Sequence, residues 1–132
     1  MTHVVHDIGV ASQIGSYSDA IEVAPNLRWL LTSGTPGLSA AGDLPPDITG
    51  QSSIAWEHLV RMLEQAGMRV EDIVKVTQYL TRAEDIAAYA KVRSRFLGAV
   101  CPASMLLVVP QLVRPEFVVE IEIVAARALA TE

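Results

Sequence analysis

The stretch FVVEIEIVAA, residues 117–126, alternates with a period of two. Successive side chains of a strand point to opposite faces, so Val119, Ile121 and Ile123 share one face while Val118, Glu120, Glu122 and Val124 share the other. Apolar residues stand on both, which predicts a strand that needs cover on each side. Two further strands precede it, ASMLLVV at 103–109 and IVKVTQYL at 73–80. The segment between them reads as a helix. Glu84 and Asp85 open it at the end that favours anions, Ile86, Tyr89, Ala90, Phe96 and Leu97 face inward, and Gly98 closes it.

Nearer the N-terminus, a second helix runs from about Asp47 to Gly67, with Ile54, Ala55, His58, Leu59, Met62, Leu63 and Ala66 at helical spacing and Gly67 as its C-terminal cap. Residues 34–46 (GTPGLSAAGDLPP) are a Gly- and Pro-rich loop. Residues 17–24 and 27–33 read as strands of a hairpin turning at Pro25-Asn26. The order is β-β-α-β-α-β-β: an α+β fold with one sheet and two crossover helices on one face. Nothing in the chain remains to cover the other face, which predicts sheet-on-sheet packing between subunits.

Composition agrees. The 132 residues suit a single domain spanning 1–132, with 1–13 expected as a partly flexible N-terminus. Hydrophobic residues make up 51%, high for so small a domain, and predict apolar surface hidden against another chain. Ten Lys+Arg against fifteen Asp+Glu give a net charge of −5, without the basic stripe that holds a phosphate backbone, so nucleic acid is not the expected partner. The N-terminus lacks the features of a signal peptide and every apolar run is too short to span a membrane, so the cytoplasm is the expected location. Cys101 is the only cysteine. It fits a reducing compartment, and no neighbouring His or Lys in sequence marks it as a nucleophile. His3 and His6 lack a helix to hold their spacing, so no metal site is expected. The chain contains no phosphate-binding loop, dinucleotide fingerprint or nucleophile elbow, and no cofactor is expected.

The segments IGSYSDA (14–20), NLRWLLTSG (26–34), WEHLVRMLEQAG (56–67), DIVKVTQYLT (72–81), DIAAYAKVRSRFLG (85–98), PAS (102–104) and VEIEIVA (119–125) carry a closer likeness. In this order they resemble the Rid family (YjgF/YER057c/UK114). The resemblance implies a chorismate-mutase-like fold, a homotrimer whose sheets form a barrel-like core with helices outside, and small-molecule pockets in the clefts between subunits. It further implies hydrolysis of the reactive enamines and imines released by pyridoxal-phosphate enzymes, giving 2-oxo acids and ammonia. Other members act on different substrates, and some are described as ribonucleases or translation inhibitors.

Residue by residue, Tyr17 matches the tyrosine of the family's I-G-P-Y-S motif, Ser33 and Gly34 match its S-G pair, and Glu120 matches the first glutamate of V-E-I-E. The resemblance gives Glu120 the task of holding the attacking water. A carboxylate in that position is chemically suited to it, the plain alternative being a structural hydrogen bond in a subunit interface. Tyr17 is a ligand contact or an interface aromatic. Deaminating members carry Pro-Ala-Arg-Ser on the next-to-last strand, whose arginine fork binds the substrate carboxylate; here Pro102-Ala103-Ser104-Met105 places Ser104 at the arginine position. Ser104 either touches ligand or fills space. Leu106 lies two residues on, on the same face, and makes the pocket more apolar; Ala90 stands at a helix position that is often asparagine. Arg28, Arg93 and Arg114 are the candidates for a replacement cation, against the plainer reading of solvated or interface charges. His58 reads as a packing residue.

These residues support a cofactor-independent Rid-type enzyme acting on an enamine, imine or related pathway intermediate other than a standard 2-imino acid. Glu120 would be catalytic, and Tyr17, Ser33, Gly34, Ser104 and Leu106 would bind ligand. The alternative is a non-catalytic ligand-binding or interaction trimer that has lost the deaminase chemistry. A remoter one is a ribonuclease or translation inhibitor.

Overall fold

The Asp47 side chain accepts a hydrogen bond from the Gly50 N–H at 2.9 Å, a helix N-cap that starts α1 (Ile48–Gln65). Gly67, at φ 70°, supplies the left-handed turn just beyond its end. The structure is a computed structural model describing residues 3–129. Its other elements are β1 (Val4–His6), β2 (Ala20–Glu22), β3 (Leu27–Leu31), β4 (Thr35–Pro36), β5 (Ile73–Leu80), α2 (Ile86–Leu97), β6 (Ala103–Val108) and β7 (Val119–Ala128), with single 3-10 turns at Ala11–Gln13, Val70–Asp72 and Ala83–Asp85. Both expected helices and the three C-terminal strands are present, making the fold α+β.

The main sheet runs β3-β7-β5-β6, with β4 also paired to β7. β5 and β6 are parallel across α2, and β7 runs antiparallel to β3, β4 and β5. The alternation of β7 is realised: Val119, Ile121, Ile123 and Ala125 are buried under the helices, whereas Val118, Glu120, Glu122 and Val124 are only partly covered. From α1, Ala55, Trp56, Leu59 and Leu63 meet this face; from α2, Tyr89 and Val92 do so. Trp56 stacks on Phe96, ring centroids 6.0 Å apart, tying the helices to one another. The opposite face carries Trp29, Leu31, Met105 and Leu107, all exposed.

The N-terminal hairpin is not formed as expected. Asn26 does turn the chain, at φ 61°, but β2 pairs with β1 in a separate two-stranded sheet while β3 pairs with β7. Residues 17–19 are drawn away to β6. The Ser18 N–H donates to the Pro102 carbonyl and the Ser18 hydroxyl to the Cys101 carbonyl, so the strand expected over 17–24 shortens to Ala20–Glu22. Val4–His6 form the ladder with it, and Ala11 is buried; of the N-terminal stretch, Met1 and Thr2 lie outside the described residues. Within the expected loop 34–46, Thr35–Pro36 form a short strand on β7. Ile86, expected inward, is exposed at the start of α2, because the inward stripe there begins at Tyr89.

Two loops are fastened by one side chain. Gln51, buried in α1, donates to the Pro45 and Glu116 carbonyls at 2.9 and 3.1 Å and accepts from the Val118 N–H at 2.9 Å. One core side chain thereby supplies partners to backbone groups of two irregular segments.

Candidate functional site

The sequence-derived site residues fall into two groups. Tyr17, Ser104 and Leu106 line one cavity of about 430 Å³ together with Ile14, Gly15, Ile86, Ala90, Arg93 and Met105. The β5–β6 register pairs Ser104 with Val76 and Leu106 with Gln78, so both point to the helix side. Ile86, Ala90 and Arg93, spaced four and three apart, form one stripe of α2 above them. Tyr17 arrives through the Ser18 bonds to residues 101–102, with its ring packed against Gly15.

Gly34 and Glu120 form the second group, on the other face of the sheet, and Ser33 is the exposed residue that precedes Gly34. β4 pairs Pro36 opposite Glu120, which brings the preceding turn beside the carboxyl, and a β-carbon built on Gly34 would stand 2.8 Å from Glu120 Oε1. The absence of a side chain at Gly34 is what leaves this space open. Partial burial pushes the Glu120 carboxyl above the usual carboxylate range. The neighbouring Glu122 differs: it accepts a hydrogen bond from the Tyr79 hydroxyl at 3.1 Å, which with the adjacent negative charge raises the Tyr79 phenol. Among the described residues no donor reaches Glu120. Of two glutamates on one strand face, one is engaged and the other has no hydrogen-bond partner among the described residues.

The cavity is ordered by one residue that sequence reasoning missed. Gln78, fully buried on β5, accepts from Arg93 Nη1 and from the Tyr89 hydroxyl, both at 2.8 Å, and donates through Nε2 to Ser104 Oγ at 3.0 Å and to the Met105 carbonyl at 2.8 Å. Burial raises the Tyr89 phenol strongly and keeps it a neutral donor. The available signal was parity: Gln78 is a polar residue at a core-facing position of a strand whose neighbours there are Val76 and Leu80.

The candidate arginines separate. Arg28 donates to the Ala66 carbonyl at the end of α1, and Arg114 lies over the Phe117 ring in a loop; Arg93 alone of the three lines the cavity. His58 donates to the Leu38 carbonyl at 2.7 Å, as a packing residue would. His6 pairs with Glu22 at 2.7 Å. Among the described residues no group of three or more metal-ligating side chains comes together, and no helix is long and apolar enough to cross a membrane. A larger cavity of about 680 Å³, between Thr49 and the outer side of α2, contains none of the candidate residues.

Residues 9–127 match the family described as endoribonuclease L-PSP. A RutC family protein of Pasteurella multocida is 35% identical over 97 residues, 73% of each chain. The 2-iminobutanoate/2-iminopropanoate deaminase of Escherichia coli K12 is 26% identical over 131 residues, 96% of this chain and 99% of that one. Among solved structures, a protein of the conserved Rid family from Yersinia pestis superposes with a TM-score of 0.83 at 26% identity, covering 96% of this chain and all of the other. The match over nearly the whole length, joined to the shared fold, shows that the chain belongs to the endoribonuclease L-PSP family, the Rid proteins.

Proposed function

We propose that this chain is a cofactor-independent, cytoplasmic Rid enzyme whose pocket is completed between copies of a homotrimer, and that it hydrolyses a reactive enamine or imine other than the smallest 2-imino acids. One observation carries this reading: the cavity at Tyr17, Ser104 and Leu106 and the free carboxylate at Glu120 and Gly34 lie on opposite sides of a single sheet. Neither half is a complete site. A second copy packed on the exposed face of Trp29, Leu31, Met105 and Leu107 would cover that apolar surface, and where it extends past the edge strand β6 it would present its own Glu120 to the cavity there.

The chemistry follows from the groups present. Glu120, with its carboxyl raised by burial, is a stronger base than an ordinary carboxylate and can hold and deprotonate a water. Water adds to the C=N carbon, the nitrogen takes up protons, and the C–N bond breaks to leave a carbonyl compound and ammonia. Tyr17 and Ser104 orient the ligand from the cavity side, Leu106 contributes apolar contact, and Ser33 with Gly34 leave the backbone open beside the carboxylate. The Escherichia coli relative carries the name of an imine deaminase, which supports this class of reaction here.

The test is ammonia release from imines generated in place by an amino-acid oxidase, over a series from alanine to leucine and phenylalanine. Turnover should be weak for the alanine-derived imine and stronger for the larger ones, and Glu120→Gln should lower it by about 10²–10⁴-fold. If no imine is turned over in a Glu120-dependent way, the family frame here serves binding alone, the reading that the apolar Leu106 favours. Cleavage of RNA by the pure protein would point instead to the family's ribonuclease description.

A further inference from the structure

We propose that Arg93 of α2, together with the Ser104 hydroxyl, is the anion anchor of the cavity, and that it selects a monocarboxylate bearing an apolar substituent. The assignment rests on the small-molecule reading of the same cavity and names the ligand class.

Gln78 fixes the donors. A guanidinium can only donate and a backbone carbonyl can only accept, so the Gln78 oxygen must face Arg93 and its nitrogen must face Met105. All four hydrogen-bonding positions of the amide are then filled: two donors to Oε1, from Arg93 and Tyr89, and two acceptors for Nε2, at Ser104 and Met105. Ser104 Oγ is therefore an acceptor toward Gln78, and its own proton is left to point elsewhere. Arg93 uses one of five N–H donors on Gln78, and its guanidinium carbon lies 5.4 Å from the Tyr89 ring centroid. Among the described residues no carboxylate pairs with it. Arg93 is thus held by Gln78 and Tyr89, half-buried at a cavity wall, with donors to spare and no counter-charge.

A partly desolvated cation without a partner is costly, and an anion entering the cavity relieves that cost. The cavity offers one positive charge beside the Ser104 hydroxyl, with Tyr17 also in its lining, a set that suits the single charge and two oxygens of a carboxylate. A phosphate, nearly doubly charged at neutral pH, would be left under-neutralised in a chain of net charge −5. The apolar side chains of the lining are chiefly Ile14, Ile86, Met105 and Leu106, beside the Tyr17 ring, a set that a methyl group would leave mostly unfilled and a branched or aromatic substituent would occupy.

The experiment is calorimetric titration of the full-length protein with 4-methylpentanoate, its neutral isostere 4-methylpentanamide, acetate and inorganic phosphate. The expected order is 4-methylpentanoate tightest, with the amide and acetate each weaker and phosphate weakest. Arg93→Met should weaken 4-methylpentanoate about 10–100-fold and the amide, which keeps only a neutral acceptor for the guanidinium, by no more than a few-fold. Arg93→Lys, which keeps the charge but not the fork, should fall between, and it decides the matter if Arg93→Met does not fold. Arg61→Met, an exposed change on α1, should alter nothing. The proposal is overturned if the unaltered protein does not bind 4-methylpentanoate, if phosphate binds more tightly, or if the Arg93 variants weaken acid and amide equally, as a packing defect would. Turnover that needs Glu120 but ignores Arg93 removes the anchor and leaves the hydrolytic reading standing. Arg93-dependent binding of the acid without Glu120-dependent turnover does the reverse.

Discussion

Gly34 lies so close to Glu120 that a β-carbon added to it would stand 2.8 Å from Oε1. The atom in the way is the far end of a flexible side chain, so a substitution there moves the carboxylate and not the backbone. Gly34 has no left-handed φ, and losing glycine's freedom in the unfolded chain is worth about 0.4–1 kcal/mol of added stability. Gly34→Ala should therefore leave the thermal midpoint unchanged or slightly raised while turnover falls by at least about tenfold, since a misplaced catalytic group loses its near-attack geometry. A full-rate Gly34→Ala protein would remove Glu120 from the reaction.

Gln51 makes a contrasting prediction, for stability alone. Its amide serves the Pro45 and Glu116 carbonyls and the Val118 N–H, all from a fully buried position. Gln51→Leu preserves the volume and leaves these groups without their partner. Each unsatisfied buried group costs about 1–3 kcal/mol, so urea unfolding should show a loss of at least about 2 kcal/mol. A midpoint within error of the unaltered protein would mean that water replaces the amide and that the loops do not depend on it.

Glu120 also predicts a pH dependence. Its carboxyl is raised by burial, so the folded chain holds the proton more tightly than the unfolded chain does. The resulting stability is fully present below the unfolded carboxylate value, about 4.3, and is lost as pH rises through the higher folded value. Gln does not titrate. The unaltered protein should therefore compare best with Glu120→Gln in acid and lose ground as pH rises toward neutrality, measured as the difference in thermal midpoint at each pH. A difference that stays constant across this range would show that the carboxyl is as well solvated folded as unfolded.

Much of this was legible in the chain. The alternation of residues 119–125, the cap at Asp47 and the glycines at 67 and 98 are local signals, and local signals placed β7 and both helices. The partner of a short strand is not local. Ala20–Glu22 pairs with Val4–His6 because Ser18 is bound to residues 101–102, more than eighty positions away, and no nearby residue records that. The candidate residues were legible and their geometry was not: Tyr17 and Glu120 can both be named from the sequence, but only the structure puts Tyr17 at the cavity beside β6 and Glu120 beside Gly34 on the open sheet face. Arg93 was one of three arginines until Gln78 singled it out, and its selection depended on four hydrogen bonds spanning three elements.

The proposed site, completed between copies, makes assembly a condition of activity. Leu31, 70% exposed on the open sheet face, stands beside Trp29, 51% exposed, with Val124 opposite it on β7. In an isolated chain Leu31→Glu exchanges one solvated side chain for another, at no more than about 1 kcal/mol. In a subunit interface the same change buries a charge without a partner, a cost of several kcal/mol that the assembly must bear. Sedimentation should give three times the 14.2 kDa chain mass for the unaltered protein and a smaller species for Leu31→Glu, with the circular dichroism of the two alike. On the proposed division of the site, a lone chain holds only half of it, and the specific activity of Leu31→Glu should rise with protein concentration as mass action restores the assembly. A dissociated variant that retained full activity at every dilution would place the complete site within one chain, contrary to the division between Tyr17 and Glu120.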